Sequence, residues 1–184
     1  MTTGAPGAAF TEITPQPGDA IGPDAFNQPD LLGFNEQQGL VLSEDLFIRN
    51  NRSIPAGSII SSHYIVFDPA DASAIDGFVL FDEPIVAVIR AGRGINNTSD
   101  DVGLPGLVYT VGRAIGPDEE DRVRADRGDP MRLNFTAGAD VPGDQVRVLT
   151  GFVVPEPSTA VGLWLGTLVV LGPRRGPAAM RSTG

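Results

Sequence analysis

The stretch Ile59-Ile60-Ser61-Ser62-His63-Tyr64-Ile65-Val66-Phe67, stopped by Asp68-Pro69, decides the fold class of this chain. β-Branched and aromatic residues crowd it, as a pleated, half-buried strand requires, and proline removes the next ladder donor. Comparable runs flank it. Leu46-Phe47-Ile48 precedes a polar turn over residues 50–53. Residues 75–81, interrupted by Gly77, are followed by 85–89 across the short link Asp82-Glu83-Pro84, which reads as a hairpin or tight connection. Further strands are expected over 107–111, 131–135 and 145–153. Turn-rich stretches at 91–101 and 116–129 separate them, and residues 116–127 have room for one short exposed helix. No 11-residue stretch before Ser158 keeps a helical period, and no repeat recurs. The expected class is therefore all-β, an antiparallel β-sandwich or jelly roll over residues 39–153.

Length and composition agree with one such domain plus appendages. The chain has 184 residues, 41% of them hydrophobic, with 23 glycines and 16 prolines scattered without period. Thirteen basic against 23 acidic residues leave a net charge of −10. Nucleic acid is an unsuitable partner, because phosphate neutralisation needs a basic face. The acidic residues sit mostly in expected loops, where they favour solubility. Cysteine is absent, so thiol nucleophiles and thiolate metal sites are excluded. Residues 1–38 read as a flexible Pro/Gly-rich segment. Its first 30 residues hold no Lys or Arg and no apolar stretch of the length that directs secretion.

Residues 154–184 differ in kind. Val154-Pro155-Glu156-Pro157-Ser158-Thr159 leads into an uncharged run from Ala160 to Gly172, and Pro173, Arg174 and Arg175 follow. Two prolines fix φ and remove backbone donors, which keeps the Pro155-Glu156-Pro157 strip extended and accessible. Leu163, Trp164, Leu165, Leu168, Val169, Val170 and Leu171 supply a segment that partitions into a bilayer as a single hydrophobic helix. Arg174 and Arg175 behind it favour the cytoplasmic side and orient it N-out. The run is shorter than the roughly 20 apolar residues of a full span.

This order of parts resembles the PEP-CTERM protein-sorting tail of bacterial exported proteins. The resemblance covers the last sixth of the chain and names no family for the domain ahead of it. It implies recognition by an exosortase at Pro155, Glu156 and Pro157, cleavage near that strip, and transient residence in the inner membrane. The protein would then pass to the cell surface or the extracellular matrix, with exopolysaccharide as a partner.

The domain itself offers little chemistry. His63 is the only histidine, and its neighbours Ser62 and Tyr64 point to the opposite face of a strand, so a structural or surface role is expected. One histidine without cysteine is a poor start for zinc. Asp68, Asp71 and Asp76, the pair Asp100-Asp101, and the acidic run 118–121 invite calcium. The spacing over 68–77 fails the EF-hand pattern, no Gly-Asp repeat of the β-helix type appears, and solvated loops are the expectation. Gly92-Arg93-Gly94 is no phosphate loop, lacking both the Gly-Lys ending and an expected helix behind it. No catalytic residue, metal ligand or cofactor is assigned. The leading expectation is a non-enzymatic surface or matrix protein. A polysaccharide-active enzyme using paired carboxylates, a calcium-dependent glycan-binding module, and a cytoplasmic protein with a fortuitous apolar tail stay open.

Overall fold

A computed structural model describes residues 2–3, 10–22, 25–49, 52–90, 92–110, 117, 121–139 and 143–154. The chain opens with four strands, β1 (Thr2–Thr3), β2 (Phe10–Glu12), β3 (Ala20–Ile21) and β4 (Gln28–Asn35). Next come β5 (Leu40–Val41), β6 (Leu46–Arg49), β7 (Arg52–Ile54), β8 (Ile59–Asp68), β9 (Ser73–Leu80) and β10 (Ile85–Ile89). The helix α1 (Gly92–Val102) precedes β11 (Val108–Tyr109), β12 (Arg122–Ala125), β13 (Arg132–Ala139) and β14 (Asp144–Phe152). The class is all-β, as the sequence indicates, with one short helix among the described residues.

The central sheet runs β10-β14-β8-β4-β2, with β5 also on β8, and a second sheet runs β1-β9-β13-β12. Pairing is antiparallel except for β2 with β4 and β3 with β11. Both long central strands are buried almost from end to end because both faces of their sheet are covered. On one face Leu31, Ile65, Phe67, Val146 and Val148 meet Ile75, Val79, Leu133 and Phe135 of the second sheet in one apolar cluster. On the other face Leu32, Phe34, Tyr64, Val66 and Leu149 pack with Ile95 and Val102 of α1. Strand alternation makes this division: in β8 odd positions face the second sheet and even positions face the helix.

Several expectations change. Part of the segment 1–38 belongs to the folded sheet and is not an appendage to it. Its β4 lies inside the central sheet, paired with β8 through Leu31↔Phe67, Leu32↔Val66 and Phe34↔Tyr64. Leu31, Leu32 and Phe34 form an apolar triplet that outweighs the flanking Pro29 and Gly33, and burial of such side chains contributes about 1.5–3 kcal/mol each. Residues 92–101 are not turns: the helix runs from Gly92. The buried positions Ile95, Thr98 and Val102 recur at helical spacing, and threonine there hides the period. Conversely β12 occupies part of the stretch expected to hold an exposed helix: it pairs with β13, and Val123, opposite Phe135, is buried in the apolar cluster between the sheets. The link 82–84 is tight but is not a hairpin, since β9 and β10 belong to different sheets.

Among the described residues no helix is long and apolar enough to cross a membrane. The folded unit spans Met1–Val154 and a second unit spans Pro155–Gly184. Pro155, Glu156, Pro157, the apolar residues 163–171, Arg174 and Arg175 all lie outside the described residues.

Candidate functional site

Arg147 is the largest fully buried side chain among the described residues, and it stands on the helix-facing side of β14. An arginine there is tolerable only if its charge is paired and its donors are used. Glu36, just past β4, supplies the charge: Nε donates to Oε2 at 2.7 Å and Nη2 to Oε1 at 2.7 Å, a bidentate pair with neither side chain exposed. The remaining donors reach α1. Nη1 donates to the Ile95 carbonyl and to Thr98 Oγ1, each at 2.7 Å, and Nη2 donates to Ser99 Oγ at 3.2 Å. All five guanidinium N–H groups therefore have acceptors.

The carboxylate is equally occupied. Ser62 Oγ donates to Glu36 Oε2 at 2.5 Å and the Tyr109 hydroxyl to Oε1 at 2.5 Å. Burial, and after it the neighbouring Glu36 charge, pushes the Tyr109 hydroxyl well above the usual phenol range, so it remains a donor. Tyr109 OH also accepts from Leu104 N at 2.8 Å, and its ring lies 5.1 Å from the Arg147 guanidinium. Beside the cluster the Tyr64 hydroxyl donates to Gln145 Oε1, while Gln145 Nε2 is the one buried side-chain polar atom without a partner among the described residues.

In front of this network lies a groove of about 420 Å³ between the C-terminal half of α1 and the loop that returns to β11. Gln37, Asn96, Ser99 and Asp100 form its polar side, and Leu104, Pro105, Leu107 and Tyr109 its apolar side. The loop's shape follows from its sequence. Leu104-Pro105-Gly106-Leu107 makes a turn closed by Leu107 N to the Leu104 carbonyl, with Gly106 at φ +87° after a proline. Gly103 must be glycine: a Cβ there would stand 2.4 Å from the Ser99 carbonyl and 2.9 Å from the Tyr109 ring. Gln37 then clamps the helix end, its Nε2 donating to the carbonyls of Asp101 and Gly103. Such a pocket is within the size range of small-molecule sites, and its mix of amide, carboxylate, hydroxyl and ring suits a hydroxylated ligand.

No protein-family model matches the chain, and no curated protein and no solved structure matches it.

His63 faces away from that groove, towards the second sheet. Asn35 Nδ2 donates to Glu12, which turns Asn35 Oδ1 towards the imidazole; Nδ1 lies 2.7 Å from it and Nε2 3.0 Å from Thr150 Oγ1. The neutral ring thus donates through Nδ1 and accepts from the threonine hydroxyl. Three neighbouring strands bring together a hydroxyl, an imidazole and an orienting amide, an order shared with nucleophilic triads. Thr150 and His63 are both buried, however, so no substrate carbonyl can reach the hydroxyl. The cluster is a packing element, extended by Phe81 against the ring at 4.9 Å and by Glu83, which accepts from Ser61 at 3.1 Å.

Burial lowers the His63 pKa from 6.5 to about 4. A base depressed on folding stabilises the fold above its unfolded pKa. Protons bind the unfolded chain first as pH falls, so stability declines between about pH 6.5 and pH 4, by about 3 kcal/mol for a shift of this size. Urea titrations across pH 4–7 should show this slope in the parent and a shallower one in His63→Gln. Equal slopes would remove His63 from the acid sensitivity.

The carboxylates expected in solvated loops separate into different roles. Asp68 is fully buried and accepts from the backbone N–H groups of Phe26, Asn27 and Gly143. Asp76 is exposed on the outer face of the second sheet and accepts from Thr136. Asp100 lines the groove, and Asp118 to Glu120 lie outside the described residues. Among the described residues no group of three His, Asp or Glu side chains is arranged to hold a metal. Gly92 does begin a helix, against expectation, although the sequence still lacks the Gly-Lys ending of a phosphate loop. Sequence reasoning misses Glu36, Arg147 and Tyr109. The usable signal is Gln145-Val146-Arg147-Val148-Leu149, where a single arginine alternates with Val146 and Val148 and shares its face with Leu149.

Proposed function

We propose that the chain is an exported bacterial surface or matrix protein, a non-enzymatic β-sandwich delivered through a PEP-CTERM-like tail. One observation carries this reading. The folded unit closes at Val154, two residues past the end of its last strand, and the Pro155-Glu156-Pro157 strip starts at the next residue. A processing enzyme needs its recognition strip outside the fold, and here the whole strip lies beyond the domain boundary. Trimming at that strip would leave every residue of the two apolar clusters in place, because both fall within Met1–Val154. The apolar run and Arg174-Arg175 would hold the protein in the inner membrane until an exosortase-type enzyme acts.

The reading is tested by intact mass on protein from its own host, with cell-associated and secreted fractions measured separately. The secreted form should end near Pro155–Pro157, and Glu156→Ala should accumulate as the uncut, membrane-bound chain. A cytoplasmic species ending at Gly184 would overturn the reading.

A second reading, glycan binding, is favoured by the groove beside Tyr109, which sets planar amides and a carboxylate around an apolar wall. Asp100→Ala should weaken retention on the host's own exopolysaccharide by roughly tenfold, the effect of about 1.4 kcal/mol. Unchanged retention would remove the groove from consideration. Calcium enters only as an additive in the same assay, since no carboxylate cluster is built for it among the described residues.

A further inference from the structure

Three strands of the central sheet end in a row of exposed apolar side chains. Val41 on β5 is opposite Ile59 on β8, and Ile59 is opposite Phe152 on β14. Directly opposed residues share a face, so the three stand side by side across roughly 10 Å, two strand spacings. Their exposures are 61%, 46% and 64%. Further along the same face Ile65, Phe67, Val146 and Val148 are buried under the second sheet, so the row begins where that cover ends. Val153 and Val154 follow Phe152 and are also exposed.

The chain leaves the fold at this place. Val154 N donates to Ser58 Oγ at 3.2 Å, which pins the exit beside the first residue of β8. Val41, Ile59 and Phe152 therefore share one face beside the place where the described chain ends, and Val153 and Val154 add two exposed apolar residues next in sequence. Single exposed hydrophobes are ordinary, but a contiguous set marks a contact surface.

We infer that this apolar rim, Val41, Ile59, Phe152, Val153 and Val154, seats the domain on a zwitterionic bilayer surface while the tail is membrane-inserted. The inference rests on the tail reading of the proposed function. Two observations select lipid as the occupant. The rim is continuous in the chain with a segment holding 13 uncharged residues from Ala160 to Gly172. A headgroup layer is the first surface that a domain tethered at Val154 meets. Charge selects the lipid class: the protein carries −10, and Glu83 lies next along the same face through its bond from Ser61. An anionic surface would repel it. The rim prefers one orientation, with Ala70 beyond the far end of β8, roughly 30 Å away, directed outward.

The absence of cysteine and the presence of a single tryptophan make a clean test. Full-length Val41→Cys, Phe152→Cys and Ala70→Cys are each labelled with an environment-sensitive fluorophore. They are reconstituted into phosphatidylcholine vesicles carrying a lipid-bound quencher, and Trp164 in unlabelled protein reports the tail independently. Quenching of Trp164, with the labels at 41 and 152 quenched at least twofold more than the label at 70, is the expected result. Trp164 quenched while all three labels behave alike overturns the rim inference and leaves the tail reading standing. Trp164 unquenched overturns the tail reading and the inference with it. Labels at 41 and 152 shielded in lipid-free detergent solution, together with a dimer in sedimentation, assign the rim to a second copy and overturn the inference.

Discussion

Arg147→Ala is expected to lower the stability of the domain by about 3–5 kcal/mol, because it leaves the Glu36 carboxylate buried without its counter-charge. For a chain of this size the unfolding midpoint would fall by roughly 10 °C. Glu36→Ala should cost a similar amount, stranding guanidinium donors instead. The informative variant is Glu36→Leu with Arg147→Met. Paired charges can be exchanged for apolar groups of similar volume at little cost, so the double variant should be more stable than either single alanine variant. Losses that simply add would show that the two charges are not coupled. The local readout is amide exchange in α1: Arg147 holds the Ile95 carbonyl, Thr98 and Ser99, so Gly92–Val102 should open faster than β12 and β13. Equal acceleration in both would place the loss in general stability and not in helix docking. The groove should loosen with the helix, since Ser99 and Tyr109 belong to both.

Asp68→Ala should be nearly as damaging. Its carboxylate accepts from Phe26 N at 2.9 Å, Asn27 N at 3.3 Å and Gly143 N at 3.3 Å, tying the approach to β4 and the approach to β14 onto the end of β8. Each unsatisfied buried donor costs about 1–3 kcal/mol, so a loss of about 3 kcal/mol is expected after partial rehydration. Asp68→Asn should recover little, because its NH₂ would oppose backbone N–H groups on one side. The consequence is directional. Asn27, held at φ 51°, and Phe26 are released first, so chymotrypsin should cut after Phe26 in the variant at concentrations that spare the parent. Cutting that starts elsewhere, with Phe26 still protected, would show that Asp68 does not anchor the N-terminal stretch.

Both variants act on contacts that residue order conceals, whereas much of the strand content lies open in it. The strands at 59–68, 85–89 and 144–152 are legible because β-branched and aromatic residues gather there without helical phase. The helix at 92–102 is hidden by its own chemistry, since a helix whose inward face includes Gly92 and Thr98 shows little hydrophobic period. The place of β4 is obscured by Pro29 and Gly33, which resemble linker punctuation. Only the pairing Leu31↔Phe67 reveals a core strand.

By itself the sequence determined the all-β class, the lack of thiol chemistry, the acidic character, and the compositional break at Pro155. All of these follow from residue type and neighbour order. Which charges meet was decided by tertiary structure alone. Glu36 and Arg147 are 111 residues apart, and β8 stands between their strands, so no local pattern could pair them. The same holds for the apolar rim. Val41, Ile59 and Phe152 are ordinary singly, and they become a surface only because antiparallel register sets them opposite one another beyond the edge of the second sheet. Local propensity writes strands into a sequence, whereas register and layer order, set by burial on two faces at once, decide which side chains share a site.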